Sequence, residues 1–113
     1  MDPIELYHRW IDVWNDSADP AEILTEDFVG HWPDHDAAGV EGLRGDLEQL
    51  RSVFERIDFR IEVGPFSDGT FVAARWSGTG LNGAIQSRFA GNDILQVRDG
   101  RIAEYWVATV QLP

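Results

Sequence analysis

Residues 86–113, QSRFAGNDILQVRDGRIAEYWVATVQLP, are the stretch that decides the fold. In this stretch Asp99 and Gly100 separate two long runs that are rich in β-branched and aromatic residues. A two-residue hairpin loop of type I′ needs positive φ at both positions, and Asp-Gly is one of the pairs that accept this conformation. The stretch therefore predicts a long β-hairpin near the end of the chain.

Asp93 lies inside the first strand of this hairpin, in phase with apolar residues. Counting in twos along the strand places it on the same face as Phe89, Gly91, Leu95 and Val97. A carboxylate on an apolar face costs free energy unless it has a partner or a function. Burial would raise its pKa and suit it to acid–base catalysis near neutral pH. The structural alternative is a hydrogen bond to a helix terminus or to a Trp N–H.

The composition bounds the class of protein. A chain of 113 residues with 43% hydrophobic content predicts a single domain over residues 1–113. The net charge of −11 argues against nucleic acid and anionic membranes as partners, because phosphates bind clustered cations. The nine cations are all Arg and there is no Cys, which excludes Lys and thiol nucleophiles.

Nothing in the sequence resembles a targeting or membrane-spanning segment. The N-terminus is acidic, and no apolar run approaches the ~20 residues that cross a bilayer. We therefore expect a cytoplasmic protein. His31 and His35 have the spacing of some metal-ligand pairs, but Pro33 interrupts the geometry and no third ligand is evident. We expect neither a metal nor a cofactor.

Three helices are predicted in the first half of the chain. Asp2 as N-cap, followed by Pro, begins the first helix, which runs to about Asn15. A second Asp-Pro pair at Asp19 predicts a short second helix. Residues 41–56 carry apolar side chains at steps of four, three and four, and this pattern predicts an amphipathic third helix.

Strands are predicted mainly after these helices. Residues 28–32 predict a short strand, and residues 33–40 predict a loop. Alternating apolar residues predict strands over residues 57–63 and 70–78, whereas residues 78–84 contain three glycines and predict a loop or a strongly bulged strand. Helices gathered before an antiparallel meander indicate an α+β fold, with the helices packed on one face of a curved sheet.

Three stretches of the sequence carry a resemblance to a known family. They are residues 27–33 (DFVGHWP), 39–44 (GVEGLR) and 91–106 (GNDILQVRDGRIAEYW). They resemble the nuclear-transport-factor-2-like superfamily, in particular its SnoaL-like branch of polyketide cyclases and ketosteroid isomerases. The resemblance implies a cone-shaped α+β fold with three N-terminal helices on a strongly curved antiparallel sheet. It also implies a pocket between helices and sheet, and commonly a homodimer.

The resemblance suggests candidate site residues. Asp93 matches an Asp that supports an oxyanion in ketosteroid isomerases, and His31 lies where SnoaL-like sequences place a pocket-lining His or Asp. Together they would form a catalytic acid–base pair, although His31 could instead be a half-exposed residue at a strand end. The candidates for substrate binding are rings that are core residues by default and can also line a pocket: Trp10, Trp14, Trp32, Phe54, Trp76 and Trp106.

Two positions depart from the catalytic machinery of these relatives. SnoaL-type cyclases carry an acid four residues after the strand Trp, where this chain has Val110. Ketosteroid isomerases place an oxyanion-donating Tyr on the first helix. The nearest residues here are Trp10 and Ile11, because Tyr7 lies one turn too early.

The leading hypothesis is a small-molecule enzyme that moves protons on a hydrophobic carbonyl compound, by isomerisation, cyclisation or dehydration. The alternative is a non-catalytic module of the same fold that binds a ligand or dimerises, which the missing acid favours. A third hypothesis is a hydrolase similar to limonene epoxide hydrolase, in which Asp93 would work with Arg75 or Arg88. The expected partners are a small hydrophobic ligand and a second copy of the chain.

Overall fold

The fold consists of two α-helices packed against a six-stranded sheet, and a computed structural model describes it for residues 1–113. A single 3-10 turn covers Pro20–Glu22. The elements in chain order are α1 (Pro3–Trp14), β1 (Leu24–His31), β2 (Asp36–Ala38), α2 (Gly39–Val53), β3 (Arg56–Ser67), β4 (Phe71–Asn82), β5 (Ile85–Arg98) and β6 (Arg101–Leu112). The α+β class is therefore confirmed. Neither helix has the length and apolar content that crossing a membrane requires.

The sheet is mixed, with strand order β2-β1-β6-β5-β4-β3. The terminal hairpin β5–β6 is confirmed, and its turn residues Asp99 and Gly100 have φ of 53° and 72°. The expectation of an antiparallel sheet is wrong at one place, because β1 runs parallel to β6. Their register pairs Gly30 with Tyr105 and His31 with Trp106. This pairing joins segments about 75 residues apart, so no local turn signal predicts it.

The prediction of three helices is also wrong. Asp19 does cap the segment, since its carboxylate accepts the Ala21 N–H at 3.0 Å. The helix nevertheless ends after one 3-10 turn, because Ile23 and Leu24 are buried in the core and Leu24 already begins β1. Tertiary burial overrides the local start signal here. For α1 the same signal is confirmed, with Asp2 accepting the Glu5 N–H.

Strands are found in residues 33–40, which were predicted as a loop, and in residues 78–84, which were predicted as a loop or a strongly bulged strand. Residues 36–38 pair with β1 as β2, and β4 continues through the glycine-rich residues to Asn82. The glycines provide room for rings on the sheet, because a Cβ on Gly80 would lie 2.5 Å from the Phe54 ring. A Cβ on Gly91 would lie 2.3 Å from the Trp76 ring. Glycine in these strands thus marks close packing and not a chain reversal.

The core lies between α1 and the face of the sheet that bears the helices, which we call the inner face. Leu6, Tyr7, Trp10 and Val13 of α1 are fully buried, at the three- and four-residue spacing that keeps one helix face against the sheet. Burial of a large apolar side chain contributes about 1.5–3 kcal/mol. This packing fixes the rotation of α1, and it therefore fixes which α1 side chains reach the middle of the sheet.

Candidate functional site

A cavity of about 250 Å³ lies between the two helices and the inner face of the sheet. We call it the central cavity. Of its 13 lining residues, 11 are hydrophobic. They are Trp10, Ile11, Trp14, Trp32, Leu50, Phe54, Ile57, Phe59, Trp76, Phe89, Asp93, Tyr105 and Thr109. The wall is thus mostly aromatic, and Asp93 is its only ionisable group besides the Tyr105 phenol.

Asp93 is the one buried charged residue of the protein, with 2% of its surface exposed. Three neutral donors bind its carboxylate. The Tyr105 hydroxyl and the Trp76 indole N–H donate to Oδ1 at 2.8 and 2.9 Å, and the Tyr7 hydroxyl donates to Oδ2 at 2.9 Å. The sequence analysis named a Trp N–H as one possible structural partner of Asp93, and Trp76 is such a partner. The structure shows a set of three.

The strand register positions this cluster. Asp93 pairs with Ala74 of β4 and Val107 of β6, so Trp76 and Tyr105 are its diagonal neighbours on the inner face. Tyr7 reaches the carboxylate from α1, one helical turn before the buried Trp10. Three separate elements therefore hold one carboxylate, and the rotamers of its partners are fixed by the core around them.

Burial dominates the electrostatics of the cluster. It raises the pKa of Asp93 to about 6, and the hydrogen bonds from Tyr105, Trp76 and Tyr7 oppose that rise by stabilising the carboxylate. Burial, together with the Asp93 charge, raises the pKa of both Tyr7 and Tyr105, so both phenols stay protonated donors. No Arg or His lines the cavity. Near neutral pH, Asp93 is mainly an ionised base without a cationic partner.

The Trp10 indole N–H is a fourth donor near this cluster. It helps to lower the pKa of Asp93, yet it makes no hydrogen bond of acceptable geometry with Asp93 or with any other group. An N–H contact that is long or misaligned is a weak interaction, so the Trp10 N–H adds little to the three hydrogen bonds that Asp93 accepts. Trp10 itself is fully buried and lines the cavity.

The structure does not bring His31 and Asp93 together, which corrects the expected acid–base pair. The imidazole binds Glu104 through Nε2 at 2.6 Å and Asp36 through Nδ1 at 2.9 Å, and these bonds raise the pKa of His31. In the register of β1 with β6, Gly30 takes the inner face beside Tyr105 and His31 takes the opposite, outer face. His31 does not line the central cavity.

The six aromatic residues that we expected to bind substrate also divide between the two faces of the sheet. Five of its members line the central cavity: Trp10, Trp14, Trp32, Phe54 and Trp76. Trp106 does not, because it shares the outer face with His31 and stacks on that imidazole at 5.7 Å between centroids. The ring that does face the cavity from β6 is its neighbour Tyr105.

The sequence analysis did not identify Tyr7 and Tyr105 as partners of Asp93. Tyr105 was detectable, since it shares strand parity with Val107, the partner of Asp93. Tyr7 lies one turn before the position that the resemblance indicates, whereas the rotation of α1 places its hydroxyl on Asp93. The side chains of Arg75, Arg88 and Val110 are exposed and do not line the cavity. The hydrolase arrangement of Asp93 with Arg75 or Arg88 is therefore absent.

Helices over a curved sheet with a cavity between them define a class of α+β folds that hosts both enzymes and binding proteins. The chain belongs to the SnoaL-like domain family, whose sequence profile matches residues 7–105. Among the curated proteins, none matches this sequence.

Solved structures agree with this assignment. A candidate polyketide cyclase from Bacillus cereus ATCC 10987 is 30% identical, with a TM-score of 0.76 over 92% of this chain and 71% of that one. IdmH, a candidate polyketide cyclase from Streptomyces antibioticus, has 21% identity and a TM-score of 0.82 over 96% and 92%. A candidate SnoaL-like isomerase from Agrobacterium tumefaciens has 17% identity and a TM-score of 0.78 over 93% and 94%. The last two show the likeness of fold alone.

Proposed function

We propose that this protein is a small-molecule enzyme that moves protons on a hydrophobic carbonyl compound, with Asp93 as its acid–base group. The observation that carries the proposal is a buried carboxylate without a cationic partner in the wall of an aromatic cavity. A carboxylate in such surroundings is costly to maintain, and perturbed groups of this kind concentrate at functional sites.

The chemistry follows from the protonation state of Asp93. The ionised carboxylate takes a proton from the carbon next to the substrate carbonyl, and the C–H electron pair moves onto the carbonyl oxygen to give an enolate. In an isomerisation the protonated Asp93 then returns the proton at another carbon. In a cyclisation the enolate carbon instead attacks a second carbonyl carbon of the substrate, and the protonated Asp93 gives its proton to the alkoxide oxygen that forms. A pKa of about 6 suits both half-steps near neutral pH.

The remaining residues of the site have supporting roles in this proposal. Tyr105 and Trp76 line the cavity and also bind Asp93, so they fix the direction of its oxygens toward the substrate. Tyr7 does not line the cavity and acts as a positioning residue. Trp14 and Trp32 would hold the substrate by stacking. His31 has no part in the reaction. Asp93→Asn tests the proposal, since turnover should be lost while the fold is retained.

A second candidate function is a non-catalytic ligand-binding module. Val110 supports it, because this residue stands where SnoaL-type cyclases carry an acid, and its side chain is 56% exposed on the outer face. In that case the central cavity would bind a hydrophobic ligand without converting it. Binding of a carbonyl compound with no exchange of its α-protons would favour this module over the enzyme.

We also propose that two copies of the chain associate through the outer face of the sheet. Five large apolar side chains on this face are exposed: Val63, Phe66, Phe71, Ile94 and Val110. An exposed apolar face of this kind marks an interaction site. The chain has 20 acidic residues, yet β4, β5 and β6 contain only buried Asp93 and Glu104, which His31 binds. Asp58 and Glu62 lie on this face only at the edge strand β3. Because the central strands carry no free carboxylate on this face, two copies can meet there with little charge repulsion, which favours a symmetric dimer.

We therefore expect Ile94→Glu to give a monomer of 12.7 kDa and the wild type to have twice that mass in solution. The variant places a carboxylate from each copy at the centre of the apolar face. Ile85→Glu is the matched control, because Ile85 is 71% exposed but lies at the β4–β5 hairpin tip. Light scattering coupled to size-exclusion chromatography measures the masses. A monomeric wild type, or a dimeric Ile94→Glu, would refute this interface.

A further inference from the structure

Thr109 marks the mouth of the central cavity. It is the only exposed residue among the 13 that line the cavity, whereas Asp93 and Tyr105 are buried. The cavity therefore opens to solvent beside Thr109, and a ligand that enters there reaches Asp93 only at depth.

The strand register places Thr109 close to Asp93 on the inner face. Asp93 pairs with Val107, which lies two residues before Thr109 along β6. Thr109 and Asp93 are therefore diagonal neighbours, and the Cα atoms of such neighbours lie roughly 7–8 Å apart. Tyr105 is the diagonal neighbour on the other side, and its hydroxyl already donates to Asp93.

The Trp76 ring lies beside both Asp93 and Thr109. Its Nε1–H donates to Asp93 at 2.9 Å. The same ring covers Gly91, the cross-strand partner of Thr109, where a Cβ would lie 2.3 Å from it. An aromatic surface therefore runs from the acid–base group to the mouth, and a planar ring of a ligand can pack on it.

Thr109 carries the one side-chain oxygen of the cavity wall that is not committed within the protein. The other side-chain oxygens of the wall belong to Asp93 and Tyr105, which are hydrogen-bonded to each other. A hydroxyl both donates and accepts, so Thr109 can bind a hydroxyl or a carbonyl oxygen of a ligand. No cation lines the wall, so nothing there would neutralise an anionic group.

We infer that the central cavity selects neutral compounds of one or two rings with two oxygen functions, a carbonyl beside Asp93 and a hydroxyl or second carbonyl at Thr109. The volume of about 250 Å³ sets the limit on size, since it lies just below the roughly 300–1,000 Å³ typical of pockets for drug-sized ligands. Thr109 is then a specificity-determining residue that binds the end of the substrate that does not react. This inference rests on the proposed function and names its substrate class.

Binding calorimetry at pH 7 with two derivatives of the bicyclic ketone α-tetralone tests the inference. 7-Hydroxy-α-tetralone and 7-methyl-α-tetralone carry substituents of similar size, across the rings from the reacting α-carbon, and only the hydroxyl can form a hydrogen bond. We expect Thr109→Val to lower the affinity for the hydroxy ketone, relative to the methyl ketone, by roughly three- to tenfold. This is the worth of one neutral hydrogen bond.

Two control variants isolate the hydroxyl of Thr109. Val keeps the β-branched shape of Thr, whereas Thr109→Ser keeps the hydroxyl and should retain the wild-type ratio of the two affinities. Thr79→Val makes the same substitution at a residue of β4 that pairs with Arg88 on the outer face and does not line the cavity. This variant should also retain the wild-type ratio.

The orientation of the ligand can be measured in the wild type, without a variant that could fail to fold. In the complex with 7-hydroxy-α-tetralone, the γ-methyl protons of Thr109 should show nuclear Overhauser effects to the aromatic protons beside the ligand hydroxyl. They should show none to the protons of the α-carbon. Thr109→Ser identifies the γ-methyl signal by its loss.

The outcomes separate this inference from the proposed function. An unchanged affinity ratio in Thr109→Val, an equal loss in Thr109→Ser or Thr79→Val, no binding of either ketone, or contacts of Thr109 with the α-carbon protons would overturn the inference. Retained exchange of the α-protons in Asp93→Asn would overturn the proposed function, and the affinity ratio that depends on Thr109 would still stand.

Discussion

Asp93→Asn is expected to remove the catalytic activity, lowering proton transfer by roughly 10²- to 10⁴-fold, the usual contribution of a general acid or base. The assay is exchange of the α-protons of α-tetralone for deuterium in D₂O, followed by NMR. This exchange requires a base at the α-carbon and so reports the proposed first step alone. In the proposed mechanism, Asp93 supplies that base from the wall of the central cavity.

The Asn substitution keeps the packing of the site. The amide oxygen can still accept the bonds from Tyr105 and Trp76, and the amide NH₂ can donate to the Tyr7 hydroxyl. Only the titratable charge is lost. Asp99→Asn is the matched control, because Asp99 is exposed at the turn of the same hairpin, where Asn tolerates its φ of 53°. Exchange that continues at the wild-type rate in Asp93→Asn would refute the assignment.

The second large effect is that the free energy of unfolding depends on pH because Asp93 titrates at a different pH in the folded and unfolded states. Its pKa in the folded protein is raised from 3.8 to about 6. Between these values the folded state holds a proton that the unfolded state has released, so stability falls as pH rises through this window. A pKa difference of about 2 corresponds to about 3 kcal/mol, which is fully present below pH 4 and lost above pH 6.

Urea unfolding of the wild type and of Asp93→Asn from pH 4 to pH 7 measures this dependence. Exposed carboxylates with lowered pKa, such as Asp2, Asp19 and Asp68, act in the opposite direction. They are present in both proteins and cancel in the difference. We expect the free energy of unfolding of the wild type, relative to the variant, to fall by about 2.5 kcal/mol over this range. A difference that does not change with pH would contradict the buried titrating carboxyl.

The features that the sequence predicts correctly depend on local chemistry. Asp99-Gly100 forms the turn because its residues accept positive φ, and Asp2 begins α1 because its carboxylate caps the first turn. Strand parity also places Asp93 with Leu95 on the buried face, since side chains alternate strictly along a strand. These arguments need no knowledge of how distant segments pair.

The features that the sequence does not predict depend on non-local packing. The face that His31 takes is set by the parallel register of β1 with β6, which no neighbouring residue encodes. The reach of Tyr7 to Asp93 depends on how α1 rotates over the sheet. From the sequence alone, the glycines of β4 indicate a loop or a strongly bulged strand. Their role becomes clear only from the rings that pack on them, as Phe54 packs on Gly80.

The carboxyl carbon of Asp93, followed by ¹³C NMR as a function of pH, tests the central claim most directly. Asp93→Asn identifies the signal by its disappearance. A midpoint near pH 6, together with a shift of that midpoint when α-tetralone binds, is the result that a buried acid–base group in a ligand cavity predicts. A midpoint near the ordinary value of ~3.9, unaffected by the ketone, would contradict it.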